Sequence, residues 1–476
     1  MLSLFAQHLA QDRFCILVEY LCSTQSILPV PQSIAGFPAM MTLADRVQTD
    51  EDPAPIEFAQ HYPETIEKLL HFSGKGRDIA EFETFLDQAE QAGQQNLLLL
   101  TGDKLKKHSS GQRLATDRTR YLESVNAVIA AKKRKTFHIG VAFNPFKYTE
   151  AERDAQYFKL HKKIRAGADF VITQLGFDLE QTKHAQAILA LDYPGFPLIA
   201  CVMPLTLRRA QFMLRHQVAG IVISEHILKV LEQENQGDSA QAKKNVYARC
   251  ALQILICKHL GYKGVHLSSC HKQQEQAQLE QALQQYQHLS LTECEQLWYQ
   301  LWQTTTHRVF QPKVEIVRKK VTSAQILKYK NMQLLHGVFF SSNAALQLGR
   351  FVFKAAFWER PKASHLLLKL EHFCKHYAVG CDSCGQCRLS ETLYICPETC
   401  PKGLANGPCG GTSLDRCEFG DRECIHSVKA RLAKAVGQTE LLKTELIPAV
   451  SIETRATSSW KNWFKSIEPQ NRGKEI

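Results

Sequence analysis

Eight cysteines crowd the stretch between Cys381 and Cys424, and their spacing is the strongest chemical signal in this 476-residue chain. They run Cys381-Asp382-Ser383-Cys384-Gly385-Gln386-Cys387, then Cys396-Pro397, Cys400-Pro401, Gly407-Pro408-Cys409-Gly410-Gly411, and finally Cys417 and Cys424. A tetrahedral zinc or a [4Fe–4S] cluster normally takes four thiolates, so eight suffice for two centres. Cysteines spaced by two, and cysteines followed directly by proline, favour iron–sulfur. Zinc stays as the alternative, although zinc ribbons more often show two separated CxxC pairs. Gly385, Gly403, Gly407, Gly410 and Gly411 let backbone N–H groups come close to sulfur. His372, His376 and His426 flank the block and read as packing residues rather than ligands. The cysteines scattered before residue 374 read as buried thiols, since a reducing compartment disfavours disulfides.

A second set of reactive residues emerges from the elements that must carry it. Short apolar runs occur at Phe14–Tyr20, Pro38–Leu43, Lys68–Phe72, Asn96–Thr101, Thr136–Phe143, Asp169–Gln174, Phe196–Val202, Gly220–Ser224 and Gly264–Ser268. Charge-rich amphipathic segments separate them, among them Asp78–Ala92, Arg118–Arg134 and Ala151–Ala166. This alternation predicts a parallel sheet covered by helices, and its length fits a (β/α)8 TIM-type barrel. Gly220–Ser224 is the shortest run and is assigned to a loop before a helix at Glu225–Glu232. Chemistry in such a barrel sits where the strands end. Those ends carry Glu19, Thr42 and Asp45, His71, Asp103, Phe143 and Asn144, Gln174, and Ser268. Any one of them could be a helix cap. Acids and an amide recurring around one mouth suit proton transfer to a nitrogen heterocycle.

The expected organisation is a barrel over 1–300, a linker and helical connection over 301–370, a cysteine-rich metal-binding module over 371–432, and a disordered tail over 433–476. Residues 305–360 are basic and poorly periodic (Lys313, Arg318, Lys319, Lys320), Pro361–Lys375 reads as a helix, and Ile467 and Ile476 sit in the polar tail. No apolar run is long enough to span a bilayer, and Met1–Ala10 lacks the features of a signal peptide. A cytoplasmic protein with no membrane partner is therefore expected. The net charge of +11 comes without an Arg-rich run interleaved with aromatics, so nucleic acid is not expected as a partner.

Leu97-Leu98-Leu99-Leu100-Thr101-Gly102-Asp103 and Ala166-Gly167-Ala168-Asp169-Phe170-Val171-Ile172-Thr173-Gln174 resemble the methylenetetrahydrofolate reductase family. The run from Cys381 through Gly411 resembles the cysteine-rich module of some bacterial reductases of that family. The resemblance implies a barrel that binds FAD and folate and reduces 5,10-methylenetetrahydrofolate to 5-methyltetrahydrofolate. By position it makes Glu19 the general acid, Asp103 the carboxylate beside the pterin and Gln174 the amide that orients it. Thr42, His71, Thr101, Gly102, Ala142, Phe143 and Lys163 fall at flavin-lining positions. NAD(P)H or a redox protein would donate electrons, and a homo-oligomer is a further candidate assembly. Tyr20-Leu21-Cys22-Ser23 replaces the family's Pro-Pro pair after Glu19. Thr101 replaces a basic residue, and Gln156 replaces an aspartate expected near the flavin ribityl chain. Lys272 stands where an arginine would reach the folate tail. Two other readings compete: a non-catalytic, regulatory barrel with a zinc docking module, and another one-carbon or pterin enzyme on the same barrel.

Overall fold

The computed structural model describes residues 3–22, 28–47, 52–104, 121–313 and 319–466. Ser23, Arg318, Ile467, Ile476 and the first turn of the expected Arg118–Arg134 helix lie outside them. The strands are β1 (Cys15–Leu21), β2 (Ser33–Ile34), β3 (Phe37–Ala44), β4 (Lys68–Ser73), β5 (Asn96–Leu100), β6 (His138–Phe143), β7 (Phe170–Thr173), β8 (Leu198–Val202) and β9 (Gly264–Leu267). β1 pairs in parallel with both β3 and β9, and every pair between them is parallel, so eight strands close into a barrel. β2 is a two-residue antiparallel addition to β3. Gly220–Ser224 forms no strand, as its length predicts.

Alternation along each strand separates two layers. Ile16, Val18 and Tyr20 point outward into the barrel–helix layer, together with Val141 and Phe143. Cys15, Leu17, Met40, Leu69, Leu98, Phe170, Ile172 and Ile199 fill the interior. Phe5 and Leu9, on the N-terminal helix Leu4–Ala10, plug its floor, with the Phe5 and Phe170 rings edge to face at 5.2 Å. Asn96 and His138, at the starts of β5 and β6, join this plug, His138 lying 5.5 Å from the Phe5 ring, and the polar inward residues further along the strands stand at the other end.

Gly140 shows how tightly that interior is filled. A Cβ there would come within 2.3 Å of the Phe170 ring. Gly140→Ala is expected to destabilise the protein by about 1–3 kcal/mol, the usual cost of overpacking. A denaturant midpoint unchanged from wild type would show that the ring has room to move.

Beyond the barrel the chain is more ordered than its weak periodicity suggests. Helices occupy Ser323–His336, Asn343–Lys354 and Pro361–Val379. Residues 433–466, expected as a disordered tail, form further helical segments that return to the helix Pro361–Val379. Ser458 and Ser459 donate to buried Glu371, as does the Trp460 backbone N–H at 3.2 Å. Polar clasps of this kind hold a segment without a long apolar stripe to announce it.

Candidate functional site

Glu19 stands in register with Thr42 on the neighbouring strand, and both face the barrel interior. The Ser268 hydroxyl donates to the Glu19 carboxylate. Thr42 Oγ1 lies 2.6 Å from His71 Nε2, and the His71 ring is 5.6 Å from that of His266. Burial, and then the neighbouring His266, hold the His71 imidazole well below its ordinary pKa, so it is neutral at pH 7. His266 is also buried, its pKa lowered by burial, and its Nε2 has no hydrogen-bond partner among the described residues. Cys201 Sγ lies 3.7 Å from His266 Nδ1. Neither His266 nor Cys201 is among the expected site residues, because both lie inside strands rather than at their ends. Counting inward positions by two, from Ile199 to Cys201 and from Gly264 to His266, would have found them.

The remaining expected residues sit around the rim. Ser124 N–H donates to Thr101 Oγ1 at 3.2 Å, so that hydroxyl ties the β5 end to the next helix. Gly102 has φ +84°, and a Cβ there would meet Ser73 Oγ at 2.3 Å. Only glycine fits such a corner. Asp103 touches solvent, yet desolvation by its surroundings and then the Glu418 carboxylate raise its pKa. Gln174 Nε2 donates to the Ala219 carbonyl at 3.2 Å, and its Oε1 accepts from Leu175 N–H at 2.9 Å. Ala142 faces inward, and its carbonyl accepts from the ammonium of buried Lys163. Burial, then nearby Lys159, bring the Lys163 pKa down to about 7. Phe143 points away from the mouth, its ring 5.0 Å from Tyr157 in the outer layer. Only its backbone is available there, and its carbonyl accepts from Gln174 N–H at 2.7 Å. Asp45 is held by Arg77 at 2.5 Å and by Ser73 N–H at 2.7 Å.

The cysteine-bearing segment is seated against this rim. Asn144 Nδ2 and Lys147 Nζ each donate to the Gly410 carbonyl at 2.9 Å. Gln156 Nε2 donates to the Cys409 carbonyl at 2.8 Å. Gln156 is thus turned toward the cysteine segment. Lys402 Nζ reaches the Gly102 carbonyl at 2.8 Å and Glu418 at 2.6 Å. Buried Glu123 pairs with Lys159 at 2.8 Å and accepts from the Ala405 and Asn406 N–H groups at 3.1 Å.

All sixteen cysteines are free thiols. Cys381, Cys384, Cys387 and Cys396 line one cleft, beside Glu371, Lys375 and Ser459. The other four influence one another electrostatically: Cys400 senses Cys424 and Cys417, Cys409 senses Cys400, and Cys424 senses Cys409. Burial is the main reason their thiols are raised, to about 11 for Cys400, Cys409 and Cys424 and to about 12 for Cys396. Among the described residues no three His, Cys, Asp or Glu side chains already stand in a metal-holding geometry. Buried lysines nevertheless face the thiols. Lys429 Nζ is buried with no hydrogen-bond partner among the described residues; burial brings its pKa down to about 7, against which Cys400 and Cys396 act, while Lys375 senses Cys387 and Cys381. A buried bare ammonium is costly beside neutral thiols and is compensated beside thiolates. His372 and His376 are engaged with Ser383 Oγ at 2.9 Å and the Cys381 carbonyl at 3.2 Å. His426 is buried.

A parallel eight-stranded barrel with a polar mouth, abutted by a cysteine-rich segment, is the architecture that these contacts define. Residues 32–284 match the family described as methylenetetrahydrofolate reductase, and residues 360–453 match that described as methylene-tetrahydrofolate reductase C terminal. The chain belongs to the methylenetetrahydrofolate reductase family. It is similar to methylenetetrahydrofolate reductase 2 of Saccharomyces cerevisiae, 29% identical over 178 residues, covering 35% of this chain and 28% of that protein. It is also similar to methylenetetrahydrofolate reductase 1 of Schizosaccharomyces pombe, 24% identical over 206 residues, covering 42% and 32% respectively. The matches thus span about a third of the length of these curated relatives. An oxaloacetate acetylhydrolase structure overlaps 62% of this chain and 92% of its own at 13% identity and a TM-score of 0.31, too loosely to argue from.

Proposed function

We propose that the chain reduces 5,10-methylenetetrahydrofolate to 5-methyltetrahydrofolate at the barrel mouth, using FAD, with electrons delivered through cysteine-ligated metal centres. The observation that carries this reading is the junction itself: a barrel of this family whose rim, at Gly102, Asn144 and Gln156, is bonded to the segment bearing Cys409. Thr42, His71, Thr101, Gly102, Ala142, Lys163 and the Phe143 backbone are the groups that would hold FAD at the mouth, where it would supply the hydride. Glu19 gives its proton to the bridging nitrogen of the folate and opens it to an iminium. The Asp103 carboxylate, at the rim, stabilises that positive charge. Gln174 orients the pterin.

The thiols sort into an outer set (Cys381, Cys384, Cys387, Cys396) and an inner set (Cys400, Cys409, Cys417, Cys424). Each has the four donors that an iron–sulfur cluster or a zinc ion takes. Iron–sulfur is favoured because the inner set adjoins the mouth, where metal that carries electrons has a use. NAD(P)H and redox proteins are the candidate donors.

The test is a visible spectrum with flavin, iron and zinc analysis on the full chain purified without oxygen, followed by assay of 5-methyltetrahydrofolate. Flavin at about one per chain together with iron is expected. Zinc without flavin, and no product, would favour the non-catalytic barrel with a docking module.

A further inference from the structure

The helices between barrel and cysteines carry more apolar surface than they bury. Of the large apolar side chains that are exposed, most fall between Leu327 and Tyr377. Each helix there has an inner face already satisfied. Tyr329 packs with Leu393 and Leu432, Gly349 abuts Phe464, and Leu367 is buried. Each also has a second stripe facing outward at helical spacing. On Ser323–His336 it is Leu327, Leu334 and Leu335; on Asn343–Lys354, Leu348, Phe351 and Val352. On Pro361–Val379 it is Leu366, Leu370, Phe373 and Tyr377, and Phe351 and Tyr377 are 79% and 80% exposed. Much of this region, residues 285–359, lies between the two family matches.

The charge around the stripes is one-sided. Residues 321–380 hold eight Lys or Arg against two carboxylates, a net +6 out of +11 for the whole chain. Both carboxylates are already paired, Glu371 with Lys375 and Glu359 with Lys461 and Lys465. Lys330, Lys354, Lys362 and Lys369 are exposed along the stripe borders. A second copy of this surface would bring like charges together. Protein interfaces are depleted in lysine, yet six of these eight cations are lysine. Helices with Leu and Phe on one face and lysine at its edges lie in the interface of anionic bilayers.

We propose that these three helices form a peripheral docking surface for an anionic phospholipid bilayer, on which they lie flat. Crossing is not involved, since among the described residues no helix is long and apolar enough to span a membrane. Glu371, Lys375 and Val379 on the last helix line the cleft of the outer thiols, so docking puts that cleft about one helix diameter, ~10 Å, from the lipid.

The test is cosedimentation of the full, metal-loaded chain with phosphatidylcholine vesicles, with and without phosphatidylglycerol. Binding is expected only with phosphatidylglycerol, weakening as salt rises. Phe351→Glu with Phe373→Glu should abolish it. Lys362→Gln and Lys369→Gln should each weaken it about five-fold while leaving the fold intact, as these side chains are exposed. The lysine variants keep the test sound should the double glutamate variant misfold. Failure to bind phosphatidylglycerol vesicles at low salt overturns the proposal. So does sedimentation velocity showing a dimer that the lysine substitutions strengthen, which would make this face a self-association surface.

Discussion

Glu19→Gln is expected to lower methylenetetrahydrofolate turnover about 10²- to 10⁴-fold, the range that a positioned general acid contributes. The substitution keeps the shape of the side chain and an acceptor for the Ser268 hydroxyl, which donates to Glu19. What it removes is the proton that would open the folate. Flavin reduction by the electron donor needs no such proton and should stay within about two-fold of wild type. Stopped-flow measurement of the two half-reactions separates these effects. Turnover that persists at the wild-type rate would exclude Glu19 as the acid. Loss of both half-reactions would mean that the substitution disturbs the mouth, where Thr42 and His71 stand 2.6 Å apart on the adjoining strands.

Removing one thiol from each set is expected to have an effect of comparable size on metal content. Cys384→Ala and Cys409→Ala should each lose about half of the metal, because four-donor centres rarely survive on three protein ligands and the two sets are separate. The double variant should lose all of it. Metal analysis and the visible spectrum report the outcome. If Cys384→Ala alone stripped the chain completely, all eight thiols would serve one assembly. An unchanged content would remove that cysteine from the ligand set. The two single variants should also differ at the barrel. Cys409 lies where Gln156 and Lys402 meet the segment, and its thiol donates to Glu418 at 3.3 Å. Its loss should therefore slow donor-driven reduction of the barrel cofactor more than loss of Cys384, which lies in the outer cleft.

Much of the barrel could be read directly from residue order. The eight strands fall within two residues of where apolar, β-branched runs place them, because a strand buried on both faces must be apolar throughout. Glu19, Thr42 and His71 interrupt those runs with polar groups, and the barrel brings all three to one mouth. Phe143 escapes such reading because the strand end is visible in sequence whereas its facing depends on register. Alternation turns Ala142 inward and Phe143 out. The helices Ser323–His336 and Asn343–Lys354 are obscured for another reason. Each is apolar on two faces, so no single amphipathic period stands out.

The sequence by itself determined the barrel, its polar strand ends and the dense thiol block, since each depends on residues close together in the chain. Only the tertiary structure decided that Cys381, Cys384, Cys387 and Cys396 line one cleft, that His266 and Cys201 share the interior with His71, and that Gly410 seats on Asn144 and Lys147. Those contacts join residues far apart in the chain. A backbone carbonyl accepting from a lysine leaves no pattern in the residues around it, because every residue has a carbonyl and the closed barrel selects which one is reached.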